Sequence, residues 1–407
     1  MGHVASSYHP RVAGPVTGAW VSTDRPTFEI RWSSGLDRDR PSTTDARLDV
    51  TLVSYGFAES VAPLAAAVAQ HARVQVILPD DRAARARAID GVADTFTFSK
   101  PRLRQPLQQA ALALKIARRI AAFAPDVIHL QQGHLWFNLV LPYLNAHPLV
   151  LTVHDARPHP GDRATTKTPQ FVFDFGYRRA DQFIVHAEHV KQQLTTQWHY
   201  PVDDIHVIPL AFPDVPSQSP ALEGGRTYTI LFFGRIWPYK GLEYLIDAEP
   251  NVADQLSAFR IVIAGTGEPF DRYQRMMANP DRFAVEYAFI PDERREELFA
   301  QADVVVLPYI EATQTGVVPL AYRRGIPVIA TDVGGLPEVV EDGRTGLLVP
   351  PRDPRALASA IVTLADPGRR REMGRHARRF FEQHFGLGAI GSRSMEVYRR
   401  AAQRSHR

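Results

Sequence analysis

At 407 residues the chain is long enough for two domains. It is 45% hydrophobic and 22% charged, the balance of a globular protein rather than a disordered one. The absence of cysteine excludes disulfides, thiolate metal sites and a cysteine nucleophile, and fits a reducing cytosol; a net charge of +3 is not that of a strongly basic protein. Residues 1–47 are rich in Pro, Ser, Thr, Arg and Asp without a sustained period, and read as a poorly ordered extension with one strand-like stretch at 27–32. From 48 onward, apolar runs of strand length recur at 48–55, 72–79, 93–99, 126–131, 148–154, 181–186 and 205–210, separated by helix-type segments at 57–71, 103–124 and 188–197. Such alternation predicts a parallel sheet with helices on both faces. The apolar stretch at 134–153 is interrupted by Asn138, Pro142, Asn145, His147 and Pro148, so no membrane span and no secretory leader are expected.

The stretch 213–225 is rich in Pro, Ser and Gly and reads as a linker, bounded at 226. Beyond it the scheme repeats. Strands are expected at 227–233, 259–264, 283–290, 303–308, 326–331 and 346–349, several of them continuous apolar runs such as Val304-Val305-Val306-Leu307. Helices are expected at 240–248, 292–301, 317–324 and 354–366, and the second domain runs to 387. A last helix, about 389–403 within 388–407, carries Met395, Val397 and Tyr398 as apolar candidates, of which the adjacent pair cannot share one narrow stripe. Two similar α/β halves, 48–212 and 227–387, leave the cleft between them as the place for chemistry.

The segment 231–248 concentrates the chemistry. A strand ends at Gly234, Arg235 follows, and Lys240 sits beside Gly241 before a helix. Residues at the C-terminal end of a parallel strand face the ligand crevice, glycine lets a ligand approach the backbone, and a helix start attracts anions. Arg235 and Lys240 there suit a diphosphate; the plainer alternative is a turn bearing two solvated cations. A second loop points the same way: after Leu307-Pro308 come Glu311, Gln314, Thr315 and Gly316, and a helix start with N–H groups at Gly316, Val317 and Val318 expected to be free. His154-Asp155 ends another strand, and by spacing alone reads as a satisfied structural pair.

GRIWPYKGLEYLIDA, RIVIAGTGE, FIPDERREELFAQADVVVLPY and ATQTGVVPLAYRRGIPVIATDVGGLPEVVEDGRTGLLVPPRDP make the second half resemble the retaining glycosyltransferases of family 4, which have the GT-B architecture. VLTVHDA and FIVHAEHVKQQL carry a weaker resemblance in the first half. The resemblance implies two Rossmann-like domains facing across a cleft, with the C-terminal helix crossing back to the first. It implies that Arg235 and Lys240, with Gly234 and Gly241, hold and neutralise the donor diphosphate. Phe289 and Ile290, in the segment Tyr287–Ile290, would meet the base; Gln314, Thr315, Gly316 and Val317 would cradle sugar and phosphate; and His154 would face the reacting sugar. One departure stands out: where many members carry paired glutamates, this chain has Ala312 and Leu320. Glu311, one position away, is the candidate for the sugar hydroxyls.

The implied activity is transfer of a hexose from a nucleotide-diphosphate sugar, UDP or GDP expected, to a hydroxyl on a carbohydrate, lipid-linked or small-molecule acceptor. Retention is expected, without metal or separate cofactor. A nucleotide-sugar epimerase of similar architecture and a non-catalytic nucleotide-sugar-binding protein are the alternatives. The basic stretch 100–119 is either a solvated helix face or a peripheral contact with the inner membrane surface of a cytoplasmic protein. The run Arg369–Arg379 has the same ambiguity. Neither has the interleaved aromatics of a single-strand binder, so no nucleic acid partner is expected.

Overall fold

The fold was established from a computed structural model, which describes residues 47–404 except 57, 81–90, 103, 132–133, 155–169, 216–226 and 313–314. The extension, the strand-like stretch at 27–32, most of the linker and Gln314 therefore lie outside the described residues.

The first half is built on β1 (Asp49–Ser54), β2 (Arg73–Pro79), β3 (Asp94–Phe98), β4 (Val127–Gln131), β5 (Leu149–Val153), β6 (Gln182–Val185) and β7 (Ile205–Val207). They form one sheet in the order β3-β2-β1-β4-β5-β6-β7, every pairing parallel. Its helices are α1 (Ala58–Ala69), α2 (Pro106–Phe123), α3 (Leu135–Asn138), α4 (Gln170–Arg179) and α5 (Glu188–Trp198). Alternate residues of a strand face opposite sides. Val50 and Leu52 of β1 enter the core shared with α1, whereas Val53 enters the one shared with α2 and α5.

The second half repeats the plan with β8 (Tyr228–Phe233), β9 (Phe259–Gly265), β10 (Phe283–Tyr287), β11 (Val304–Leu307), β12 (Val328–Thr331) and β13 (Gly346–Val349), in the order β10-β9-β8-β11-β12-β13 and again parallel. Its helices are α6 (Leu242–Ala253), α7 (Asp271–Met276), α8 (Asp292–Gln301), α9 (Val317–Tyr322), α10 (Pro354–Thr363) and α11 (Pro367–His384). Strand order reverses direction beside β1 and β4 in one sheet and beside β8 and β11 in the other. Ligands of open α/β sheets sit at such switch points, outside the carboxyl ends of the strands. Among the described residues no helix is long and apolar enough to cross a membrane.

Several boundaries differ from the sequence reading for physical reasons. The helix expected at 240–248 is preceded by a 3₁₀ turn at Pro238–Lys240, broken by Gly241 at φ +62°, and α6 then runs on to Ala253. The strand expected at 283–290 stops at Tyr287, whose hydroxyl donates back to the carbonyls of Gly267 and Glu268, 3.0 Å each. Helix α11 follows α10 and has no continuous apolar run; Met373, Ala377 and Phe381, four residues apart, make its buried stripe among arginines. The basic run on it is not a uniform solvated face. Arg370 is buried and donates to the carbonyls of Leu364 and Ala365, and Arg378 pairs with Asp214 at 2.7 Å.

The chain crosses between the halves twice at one place. Phe212, leaving the first half, pairs in parallel with Gly386, and its N–H donates to the Phe385 carbonyl at 3.1 Å. The connector beyond Phe212 is held by the second half: Arg378 donates to the Val215 carbonyl at 3.2 Å as well as to Asp214. After Gly386, helix α12 (Leu387–Arg404) lies on the first half. Ile390, Met395, Val397, Tyr398 and Ala401 join the core of α1, β1 and β2. Val397 and Tyr398 are thus both buried on the first half, neither facing the second, because α12 sinks deep enough to bury a wide face in place of a narrow stripe. Gly391 permits that depth: a Cβ there would stand 2.4 Å from the Ala67 carbonyl oxygen. Gly391→Ala should therefore destabilise by about 1–3 kcal/mol, the usual range for overpacking, seen as a clear fall in Tm. An unchanged Tm would show that the two helices are not locked at this distance.

Candidate functional site

The carboxyl ends of β8, β9 and β11 are drawn together by glycines. Gly234 follows β8 at φ +124° and its N–H donates to the Ala264 carbonyl at 3.0 Å; Gly265 ends β9 at φ +150°, where a Cβ would fall 1.8 Å from the Gly234 carbonyl oxygen. Only glycine fits this crossing. It places Arg235, exposed, at the mouth of the sheet. Gly241 does the same beside β11, where a Cβ would fall 2.0 Å from the Pro308 carbonyl oxygen, and the Tyr239 carbonyl accepts from the Ile310 N–H at 2.8 Å. The loop 235–241 is thereby tied to the exit of β11, and the Lys240 ammonium lies 3.7 Å from the Tyr309 ring centroid. A cation over an aromatic face is held without a carboxylate partner and keeps its positive field.

Tyr309 is itself fixed, its carbonyl accepting from the Thr331 hydroxyl at 2.6 Å. Its own hydroxyl lies 3.4 Å from Thr315 Oγ1. Thr315 also accepts from the Val317 N–H at 3.2 Å, so that N–H is not free as the spacing suggested; the threonine has taken it. Gly316 immediately precedes α9, which is only one and a half turns long. Gly334, at φ +54°, packs against the other side of this loop, where a Cβ would be 1.6 Å from the Ala312 carbonyl oxygen. Glu311 is exposed next to Ala312, while Leu320 is buried in the core. Phe289 and Ile290 lie past the end of β10; Phe289 is 79% exposed, and Ile290 packs against the core of β11 and α8. Arg235, Lys240, Tyr309, Thr315 and Gly316 thus gather at the β8/β11 switch point, with Phe289 and Ile290 farther out along the strand ends.

Across from them, the first half presents polar strand ends. His154 follows β5 and its Nε2 lies 3.1 Å from Gln131 Oε1, at the end of β4. His186 follows β6; its ring centroid is 4.8 Å from that of His154, and its Nδ1 lies 2.8 Å from the Ile208 carbonyl oxygen. Among the described residues, the other nitrogen of His186 is buried with no hydrogen-bond partner. Burial pushes His129, behind these groups, down to about 3 and His186 to about 4, in the latter case against the pull of the Ile208 carbonyl. His154 is held well below its ordinary value by burial and then by the neighbouring His186 and His129. His134, whose ring stacks on Tyr55 at 3.9 Å, is pushed to about 4 by burial and then by Lys100. The first half therefore offers neutral donors and acceptors where the second offers cations.

The two faces meet. A recess between them is lined by His186, Pro209 and Leu210 from the first half and by Thr315, Pro319 and Gly335 from the second. Beside it, Glu338 reaches across to accept the Glu188 N–H at 3.1 Å, at the start of α5, where Ala187 has no side chain to cap the helix. Spacing gave no mark for Gln131, Tyr309 or Glu338. His186 had one signal, since like His154 it directly follows a short apolar strand.

Residues 56–213 match the family model described as Glycosyltransferase Family 4, and residues 227–366 that described as Glycosyl transferases group 1. The chain is 26% identical over 285 residues to an alpha-D-kanosaminyltransferase of Streptomyces kanamyceticus, covering 63% of this chain and 73% of that one. It is 28% identical over 344 residues to a D-inositol 3-phosphate glycosyltransferase of Acidothermus cellulolyticus, covering 74% and 73%. The crystal structure of Anabaena HepE in complex with UDP and glucose superposes with a TM-score of 0.64 at 20% identity, over 86% of this chain and 99% of that one. The chain is a family-4-like glycosyltransferase of the GT-B fold.

The buried imidazoles make stability depend on pH. They titrate near 6.5 when unfolded and at about 3 to 4 when folded. Between those values the unfolded chain binds more protons, so stability is complete above 6.5 and falls as pH drops, by up to about 1.4 kcal/mol per pH unit for each histidine. Urea unfolding should show a marked loss between pH 7 and pH 4.5. Equal stability at both would mean that these rings protonate freely in the folded state.

Proposed function

We propose that the protein transfers a hexose from a nucleotide-diphosphate sugar to an acceptor hydroxyl with retention at the anomeric carbon and without a divalent ion. The observation that carries this reading is the recess shared by the two halves, lined by His186 and Pro209 of the first and by Thr315 and Gly335 of the second, with the loop 235–241 tied to the exit of β11 that leads into Thr315. The diphosphate would lie over the β8/β11 switch point against Arg235 and Lys240, with Thr315, Gly316 and Val317 near its sugar end. The base would rest toward Phe289 and Ile290. As the nucleoside diphosphate departs, charge develops on its bridging oxygen, and two preorganised cations stabilise it there. His154 would face the sugar from the first half, and Glu311, one residue before Ala312, is the candidate for the sugar hydroxyls. UDP- and GDP-sugars are the donors to try first, with carbohydrate, lipid-linked and small hydroxylated acceptors.

The same reading extends to location. A cytoplasmic protein could rest on anionic lipid through 100–119, where α2 exposes Leu107 and Leu114. Two of the cations there are engaged within the protein, Arg119 by Asp94 at 2.7 Å and Lys115 over the Phe96 ring. Arg102, Arg104 and Arg118 are the residues proposed to carry the contact.

Arg235→Ala and Lys240→Ala should each lower kcat/KM on the order of 10²-fold, the loss typical of one preorganised charge-stabilising donor, with the fold intact by circular dichroism. Near-normal turnover in either folded variant would remove that residue from the mechanism. Turnover should also survive exhaustive EDTA treatment. Activity that disappears on chelation and returns with Mn²⁺ or Mg²⁺ would replace the two-cation account by a metal-dependent one.

A further inference from the structure

Behind His154 runs a continuous chain of buried polar side chains that donor chemistry at the second half does not explain. Gln131 Oε1 lies 3.1 Å from His154 Nε2. Gln131 Nε2 donates to Thr152 Oγ1 at 3.1 Å and lies 3.3 Å from His129 Nε2. His129 Nε2 lies 2.7 Å from Thr152 Oγ1, and His129 Nδ1 lies 2.7 Å from the hydroxyl of Tyr398 on α12. His129, Thr152 and Tyr398 are wholly buried and Gln131 is 2% exposed. These groups are withdrawn from bulk solvent, so the loss of a bond among them is costly.

We infer that Gln131 is a positioning residue that holds the His154 ring with its proton on Nε2, and that Tyr398 anchors Gln131 through His129 and Thr152, making the C-terminal helix part of the site. This rests on the reading that His154 faces the sugar.

The argument is one of hydrogen-bond direction. An amide oxygen only accepts, so with Oε1 toward His154 the Nε2 of that ring carries the proton and Nδ1 carries the lone pair. The amide orientation is assigned from its other end, where the NH₂ group donates to Thr152 Oγ1 beside His129. Thr152 can then donate to His129 Nε2, with His129 Nδ1 donating to the Tyr398 oxygen. Reversing the amide would require the whole chain to reverse, including the Tyr398 hydroxyl on another element. The histidine's tautomer is thus linked to a helix that enters from the far end of the sequence, and a shift of α12 would be felt at the sugar-facing ring.

The test uses the full chain. ¹⁵N–¹H multiple-bond spectra should show His154 as the Nε2–H tautomer in the wild type and as a mixture in Gln131→Met, which keeps the side-chain volume and loses the acceptor. Gln131→Met should lower kcat by roughly tenfold, at the low end of what partners of functional histidines contribute, with unchanged thermal stabilisation by UDP or GDP. Tyr398→Phe should shift the same tautomer balance with a smaller loss of kcat. Gln131→Glu keeps an acceptor oxygen and adds a carboxylate facing His154, in a group otherwise made of His129, His186 and Tyr398. It should preserve the Nε2–H tautomer and move the acid limb of the pH–rate profile to higher pH, because the carboxylate favours the imidazolium. A wild-type His154 carrying its proton on Nδ1, or Gln131→Met with wild-type tautomer and kcat, would overturn the assignment. If His154→Ala transfers at the wild-type rate while the tautomer is as assigned, the sugar-facing role fails and the positioning geometry stands without it.

Discussion

The short parallel pairing of Phe212 with Gly386 is the constraint on which the rest depends. A site divided between two sheets exists only while both sheets hold their strand ends toward one space. The chain meets this by crossing between the halves twice at adjacent points and by sending α12 into the core of the first half. Since α12 continues directly from Gly386, the second crossing is anchored on one side by α11 and on the other by a buried helix. The first crossing is anchored by Arg378 and its hold on Asp214 and Val215. Rotation of one half against the other is then confined to a narrow strip, with the Phe212 and Phe385 rings meeting edge to face within it, 6.5 Å apart.

At the recess that this strip borders, the halves also touch through a polar contact of a different kind. Glu338 caps α5 from the opposite half and lends its carboxylate to the positive end of that helix. Such a cap contributes on the order of 1 kcal/mol, too little to hold two domains together and enough to bias a closure. The strong attachment lies at the crossing and the weak one at the recess, the order needed if a ligand is to enter and the halves are then to close on it.

The second half was the more legible in sequence because its chemistry depends on backbone geometry, and glycine records backbone geometry. Gly234 and Gly241 stand where φ is positive, and Gly241 is where a side chain would strike a neighbouring strand, so the anion-type loops could be read from spacing. The parallel strands were legible from continuous apolar runs. Helix α11 was not, since its apolar stripe is one residue in four among arginines whose burial comes from carbonyl partners supplied by the fold. Gln131 and Tyr309 were equally silent. Each is a common residue at a strand end, and its meaning comes from what the topology places beside it. The α12 face was misjudged because width of burial is set by the depth of packing against α1, which a helical wheel does not contain.

The two halves also differ in how they treat charge, and the difference follows from burial. Around the loop 235–241 the cations are half-buried or exposed, with Lys240 supported by an aromatic face. Around His154 the histidines crowd one another under a shell of apolar residues, and each proton added would have to be desolvated next to a like charge. A departing sugar that gains positive character is disfavoured beside an imidazolium and tolerated beside a neutral ring, whereas a departing diphosphate requires the opposite surroundings. The division of the fold into two sheets lets one chain provide both environments, a buried neutral one at the strand ends of the first half and a cation-bearing one at those of the second.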